Sequence, residues 1–175
     1  ERCIDDSDDV EGIVVTQGTD ILEESAYFVD LTYDGETPVV FTGAMRNPSL
    51  PSPDGPINLA TSVRTAASDR ARGRVLVAFN QRIHAGREVT KTNSTNTDTF
   101  RSPEFGPLAV AEESRITWRR RPIDPDPVID ADPAELTNDV HAVTVTADMP
   151  TAQIVAAADA DALCLAATGA GHIPP

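Results

Sequence analysis

Two stretches of this chain hold side chains able to do chemistry together. Gly12-Ile13-Val14-Val15-Thr16-Gln17-Gly18-Thr19-Asp20 is an apolar run that breaks at a glycine and then presents a hydroxyl and a carboxylate. Far downstream, Arg87-Glu88-Val89-Thr90-Lys91-Thr92-Asn93 is polar, without helical or strand period, and carries the only lysine among 14 basic residues. A guanidinium stays protonated at any working pH, whereas an amine gives up its proton when desolvated, as a base activating a hydroxyl must. Thr19, Asp20 and Lys91 are therefore a candidate hydroxyl, carboxylate and amine for nucleophilic acyl transfer. Each also has a plainer reading. Asp20 with Glu23 three residues later fits an N-cap and capping box, and Lys91 fits a lone surface lysine.

The elements that would position these groups alternate along the chain. Strand patterns fall at Ile13 to Val15, Val39 to Thr42 and Val75 to Phe79, with helical patterns at Ile21 to Leu31 and from Ile57 to about Ala71. Continuous apolar strands alternating with helices predict an α/β fold, a mostly parallel sheet with helices on both faces. Thr19 and Asp20 then sit at the carboxyl end of a buried strand, where open α/β sheets bind ligands. Right-handed crossover puts the first two strands side by side, so that Gly43-Ala44-Met45-Arg46 leaves the second strand at the same end, with Gly43 permitting close backbone approach. Asn58, Leu59, Val63 and Ala66 open the second helix. The long polar segment from Gln81 to Pro107 has no helix of its own, and its loosely alternating Thr and Ser residues suit a hairpin with Lys91 at the base. Leu108 to Ala111 and Ile116 to Trp118 form a further hairpin, and Arg119-Arg120-Arg121 is expected to be a solvated patch paired with local carboxylates.

Prolines and aspartates from Pro122 to Pro133 mark an extended linker. Beyond it, Ala142 to Thr146, Ala152 to Ala158 and Leu163 to Ala167 read as strand, helix and strand, ending in the glycine turn Thr168-Gly169-Ala170-Gly171-His172. The expected organisation is an incomplete N-terminal α/β domain over residues 1–121, a linker over 122–135 and the start of a smaller second α/β domain over 136–175. Two strands and a helix bury too little to stand alone. Gly169-Ala170-Gly171 lacks the third glycine and following helix of a dinucleotide fingerprint.

Composition narrows the partners. With 28 acidic against 14 basic residues and a net charge of −14, nucleic acid and anionic membrane would repel the chain. No apolar run reaches the length of a membrane span, and the acidic Glu1-Arg2-Cys3-Ile4-Asp5-Asp6 has no signal-peptide h-region, so a cytoplasmic location is expected. The acidic, lysine-poor composition suits a high-salt cytoplasm and equally an arginine- and alanine-biased genome. Cys164, inside Ala162-Leu163-Cys164-Leu165-Ala166, reads as a small buried hydrophobe, and Cys3 lies near the amino terminus; neither has the histidine neighbour of a catalytic or metal-binding thiol.

Five ordered blocks, Gly12 to Thr32, Pro38 to Arg46, Ser52 to Leu59, Arg87 to Asn93 and Thr168 to Pro174, resemble the bacterial and archaeal L-asparaginase family over nearly the whole chain. That resemblance implies hydrolysis of the side-chain amide of L-asparagine, with L-glutamine as the second candidate, by covalent acyl transfer without metal or organic cofactor. It implies catalytic roles for Thr19, Asp20 and Lys91. Substrate contacts would come from Thr19, Asp20, the Ala44 carbonyl and His172, the last matching a position that reaches across a subunit interface. It also implies a homo-oligomer, dimer or tetramer. The Thr-Gly-Gly-Thr block holding the family's other threonine is absent, as is the serine loop that grips the substrate α-carboxylate. Gln17 replaces a usual histidine and Ile21 a usual threonine. The competing functions are a glutaminase-like subunit of a tRNA-dependent amidotransferase and a non-catalytic binding protein of the same fold.

Overall fold

The computed structural model describes residues 10–121, 128–132 and 135–173. Cys3, most of the acidic amino-terminal stretch and much of the expected Pro- and Asp-rich linker lie outside the described residues. The chain divides into two compact units, one running to Asp130 and the other from Ala131.

The first unit is α/β, built on a six-stranded sheet. In chain order its elements are β1 (Ile13–Thr16), α1 (Leu22–Thr32), β2 (Val39–Thr42), α2 (Gly55–Ala66), a short 3-10 turn (Asp69–Ala71), β3 (Val75–Phe79), β4 (Arg82–Ala85), β5 (Thr90–Lys91), β6 (Phe100–Arg101), β7 (Ala109–Ala111) and β8 (Ile116–Trp118). The sheet order is β1-β2-β3-β4-β7-β8, and β5 and β6 form a separate two-stranded ribbon. Parallel pairing is confined to β1, β2 and β3; from β3 onward every pairing in this sheet is antiparallel.

The alternation of side chains along the parallel strands divides the core in two. Val39, Phe41, Val75, Val77 and Phe79 face the side covered by Leu22 and Ala26 of α1. Val40, Leu76 and Ala78 face the other side, with Ala66 at the end of α2. Burial of a side chain such as Leu22, fully excluded from solvent, contributes about 1.5–3 kcal/mol. β2 and β3 are buried along their whole length. β1 is only partly buried, a correction to the buried strand expected from its apolar run. It lies at one end of the sheet order, and its sole described strand neighbour is β2.

The second helix forms where expected, as α2; its buried residues are Asn58, Thr61, Ser62, Thr65 and Ala66, while Leu59 and Val63 are about half exposed. Two of the three inward hydroxyls are satisfied: Ser62 and Thr65 donate to the carbonyls of Asn58 and Thr61, each at 2.8 Å, one turn back along the helix, while Thr61 Oγ1 has no partner among the described residues. In the triple arginine, Arg120 has the carboxylate partner expected of it, but that partner is the buried Glu88 and Arg120 is only partly solvated; it also donates to the Gly106 carbonyl at 2.8 Å.

The second unit contains β9 (Val140–Thr144), α3 (Ala152–Val155) and β10 (Ala162–Ala166), with β9 and β10 paired in parallel. Its buried apolar side chains are Val145 and Ala157. With so little core, Cys164 is exposed, against the expectation that its apolar neighbours would bury it. Thr168 and His172 close the terminal glycine turn through a single antiparallel bridge. Among the described residues no helix is long and apolar enough to cross a membrane.

Candidate active site

β1 ends at Thr16, and the chain then turns through Gln17, Gly18, Thr19 and Asp20 before α1 begins at Leu22. The turn is held on its sheet side by the Gln17 N–H, which donates to the Thr42 carbonyl at 2.9 Å. Gly43 is essential to that approach. A Cβ on Gly43 would stand 2.5 Å from the Gln17 carbonyl oxygen, far inside van der Waals contact. The glycine therefore makes room for the neighbouring corner, where the sequence alone suggested room for a ligand. Gln17 donates through Nε2 to Ser25 Oγ at 2.8 Å.

Lys91 reaches this corner from the opposite side. In the β5–β6 ribbon it is paired with Phe100, a buried residue whose ring lies 4.8 Å, centroid to centroid, from Phe79 on β3. The ribbon is therefore pinned to the end of the sheet by an aromatic contact, and its polar tip is closed locally. Thr92 donates its backbone N–H to Thr99 O at 2.8 Å, and Asn93 Oδ1 accepts from the backbone of Thr95 and Asn96 at 2.8 and 2.9 Å. Asp30 of α1 pairs with Arg87, just ahead of β5.

Thr19, Asp20 and Lys91 are brought together by this arrangement. The Lys91 Nζ is 3.1 Å from Thr19 Oγ1 and 2.8 Å from Asp20 Oδ1. The two charged partners differ in environment: the Lys91 side chain is 15% exposed and that of Asp20 96%. The amine is thus shielded while the carboxylate faces open solvent. The hydrogen bond from Lys91, reinforced by its charge, holds the Asp20 carboxyl below the usual carboxylate range.

Asp20 is not a helix cap. The N-cap position is Ile21, and no side chain caps α1. Glu23, the other half of the expected capping box, instead accepts the backbone N–H of Lys91. Local pattern and tertiary structure compete for the same two carboxylates here, and the tertiary partner wins both. Glu23 is a site-shaping residue that the sequence offered only as a cap.

Asp54 and Asn58 were equally hidden in a turn and a helix start. The Asp54 carboxylate accepts the backbone N–H groups of Met45 and Arg46 at 2.9–3.1 Å. The Asn58 amide donates to Gly43 O at 3.0 Å and to Asp54 Oδ2 at 3.1 Å, and accepts from the Asn80 N–H at 2.9 Å. One fully buried amide thereby ties the end of β2 to the turn after β3. A buried polar side chain at an amphipathic helix start was the available signal. Ala44 is exposed just beyond β2, and His172 is exposed in the second unit. Ala44 directly follows Gly43, where a Cβ would stand 3.4 Å from Thr19 Cγ2. Among the described residues no cluster of three or more His, Cys, Asp or Glu is arranged to hold a metal ion.

A shielded amine hydrogen-bonded to a hydroxyl and to a carboxylate can exchange a proton with the hydroxyl while the carboxylate orients it. Residues 1–124 match the family model described as asparaginase, N-terminal. L-asparaginase 2 of Escherichia coli is 47% identical over 118 residues, which are 67% of this chain and 34% of that protein. L-asparaginase 2 of Bacillus subtilis is 54% identical over 101 residues, 57% of this chain and 27% of that one. A glutaminase-asparaginase of Pseudomonas aeruginosa is 38% identical over 97% of this chain and 48% of its own length. The chain thus spans between about a quarter and a half of the curated relatives it matches. A solved structure described as a probable cytoplasmic L-asparaginase from Campylobacter jejuni superposes with a TM-score of 0.82 at 30% identity, covering 94% of this chain and 53% of that one.

Proposed function

Because the chain belongs to the asparaginase family, we propose that it supplies a Thr19–Asp20–Lys91 triad to an L-asparaginase-type amidohydrolase that converts L-asparagine to L-aspartate and ammonia. The observation that carries this reading is the Lys91 amine within hydrogen-bonding distance of both Thr19 and Asp20.

In the proposed reaction a hydroxyl oxygen adds to the substrate carboxamide carbon, and the tetrahedral intermediate collapses with loss of ammonia. Water then hydrolyses the ester. Lys91 takes the hydroxyl proton through Thr19 and passes it to the substrate nitrogen, which leaves as ammonia. Asp20 holds the amine in place and, being exposed on its outer side, is free to meet a substrate ammonium. The Ala44 carbonyl and His172 complete the proposed substrate contacts, with His172 acting from a neighbouring subunit of a homo-oligomer. Leu59 and Val63, one turn apart on the outside of α2 and about half exposed, give such an assembly an apolar face. The same reading divides the chain into a domain over 1–121, a linker over 122–135 and a second domain begun over 136–175, supported by the two compact units that meet after Asp130. The cytoplasm is the proposed compartment, after the Campylobacter structure's description; a Haemophilus influenzae relative named as periplasmic marks the competing outcome.

Ammonia release from L-asparagine by the intact polypeptide tests the proposal. Lys91→Met should lower kcat by about 10²–10⁴-fold, the usual scale of general acid–base catalysis. Equal release by parent and variant would reject it.

A further inference from the structure

A second polar site lies on the far side of the Lys91-bearing ribbon. Arg82, His84, Asp98, Arg101, Ser102 and Gly106 help line a cavity of about 260 Å³, and none of Thr19, Asp20 and Lys91 is among its walls. His84 is 1% exposed. Its Nδ1 is 2.9 Å from Ser102 Oγ, while its Nε2 is buried without a hydrogen-bond partner among the described residues. Most buried polar groups are paired, so an orphaned ring nitrogen in a residue that lines a cavity calls for a ligand.

We propose that this cavity binds a compact oxyanion, a phosphate, sulfate or carboxylate group, between Arg82, Arg101 and the His84–Ser102 pair. The charge balance selects an anion over a cation. Arg82 Nη1 and Arg101 Nη2 share a single carboxylate, Asp98, at 2.7 and 2.6 Å. Two guanidiniums on one carboxylate leave an excess positive charge, and each guanidinium retains further N–H donors. Arg120, which reaches Gly106 at the rim, is matched by Glu88 and leaves that balance unchanged. This local excess stands out in a chain of net charge −14.

The His84–Ser102 pair offers one donor whichever proton arrangement it adopts. If Ser102 donates to Nδ1, the neutral ring carries its proton on Nε2. If Nδ1–H donates to Ser102, the serine hydroxyl proton is the free one. The arrangement has a geometric anchor as well: Arg101 stands opposite Thr90 in the β5–β6 ribbon, and Asn80 Nδ2 holds Asp98 at 3.2 Å. The guanidiniums are therefore presented from a braced frame.

Inorganic phosphate, titrated into the intact polypeptide at constant ionic strength with sodium chloride as the balancing salt, provides the test. The His84 imidazole resonances, identified by their loss in His84→Gln, should shift saturably. The melting temperature should rise with phosphate concentration. Arg101→Gln should weaken binding by about tenfold or more, corresponding to about 1.4 kcal/mol, while leaving the phosphate-free melt close to the parent's because Arg101 is half exposed. Parallel titrations with sulfate and acetate distinguish tetrahedral from carboxylate ligands. A response reproduced by chloride alone, a non-saturable shift, or an affinity unchanged in Arg101→Gln would overturn the proposal.

Discussion

Acid should destabilise this fold through one histidine in particular. His84 is almost wholly buried, and burial, aided by the nearby charges of Arg82 and Arg120, lowers its pKa from 6.5 to about 4. In the unfolded chain the ring takes up its proton near the ordinary value; in the folded protein it resists until much lower pH. The unfolded state therefore binds more protons between these two values, and stability is lost as pH falls through the window, with full stability retained above 6.5. At 1.36 kcal/mol per pKa unit the loss amounts to about 3 kcal/mol by pH 4. A domain with a typical margin of about 5–15 kcal/mol would feel that. Carboxylates titrate too, Asp20 among them, so the informative quantity is a difference of differences. Urea unfolding of the parent and of His84→Gln, each at pH 7 and pH 4 in chloride buffers free of oxyanions, isolates the histidine. The parent's advantage over the variant should shrink by about 3 kcal/mol between those pH values. An advantage that is the same at both would refute the argument, because it would mean that the imidazole titrates alike in the folded and unfolded chain.

Other substitutions probe the corner itself. Gly43→Ala should destabilise by about 1–3 kcal/mol, read from urea midpoints, since its methyl would collide with the Gln17 carbonyl at 2.5 Å; a neutral substitution would show that the two turns are not tightly apposed. Glu23→Ala leaves the Lys91 N–H without its acceptor and should lower kcat about tenfold, the scale of one hydrogen bond to a charged group, with KM little altered. Glu23→Gln, which keeps an acceptor oxygen, should recover most of the loss. A fall in KM-linked binding alone, or no recovery, would count against a positioning role.

What could be read from the residues follows from how far each signal reaches along the chain. Val39 to Thr42 and Val75 to Phe79 were legible because strands buried on both faces are continuous apolar runs, and both fall where expected. β4 was missed inside a segment taken as loop, because Arg82-Ile83-His84-Ala85 carries two polar residues. The turn leading into it is Asn80-Gln81, both at positive φ, the two-residue connection that suits a hairpin. Asparagine at its first position was the available clue. The inward face of α2 could not be read from its apolar residues, because Ser62 and Thr65 are buried by bonding back to their own helix. Lys91 stood out by residue type, yet nothing local located its amine. That required the Phe79–Phe100 contact, a pairing between distant parts of the chain. The capping-box pattern at Asp20 and Glu23 misled for the mirror-image reason: a short-range rule cannot see a partner arriving from β5.

The central claim is that Thr19 and Lys91 act on the same proton, and a double-mutant cycle on kcat for L-asparagine hydrolysis tests it most directly. Groups that work as one unit are lost together, so Thr19→Val combined with Lys91→Met should be no slower than the slower single variant. If the two losses instead multiply, the side chains contribute independently, and the 3.1 Å contact between them is packing without shared chemistry.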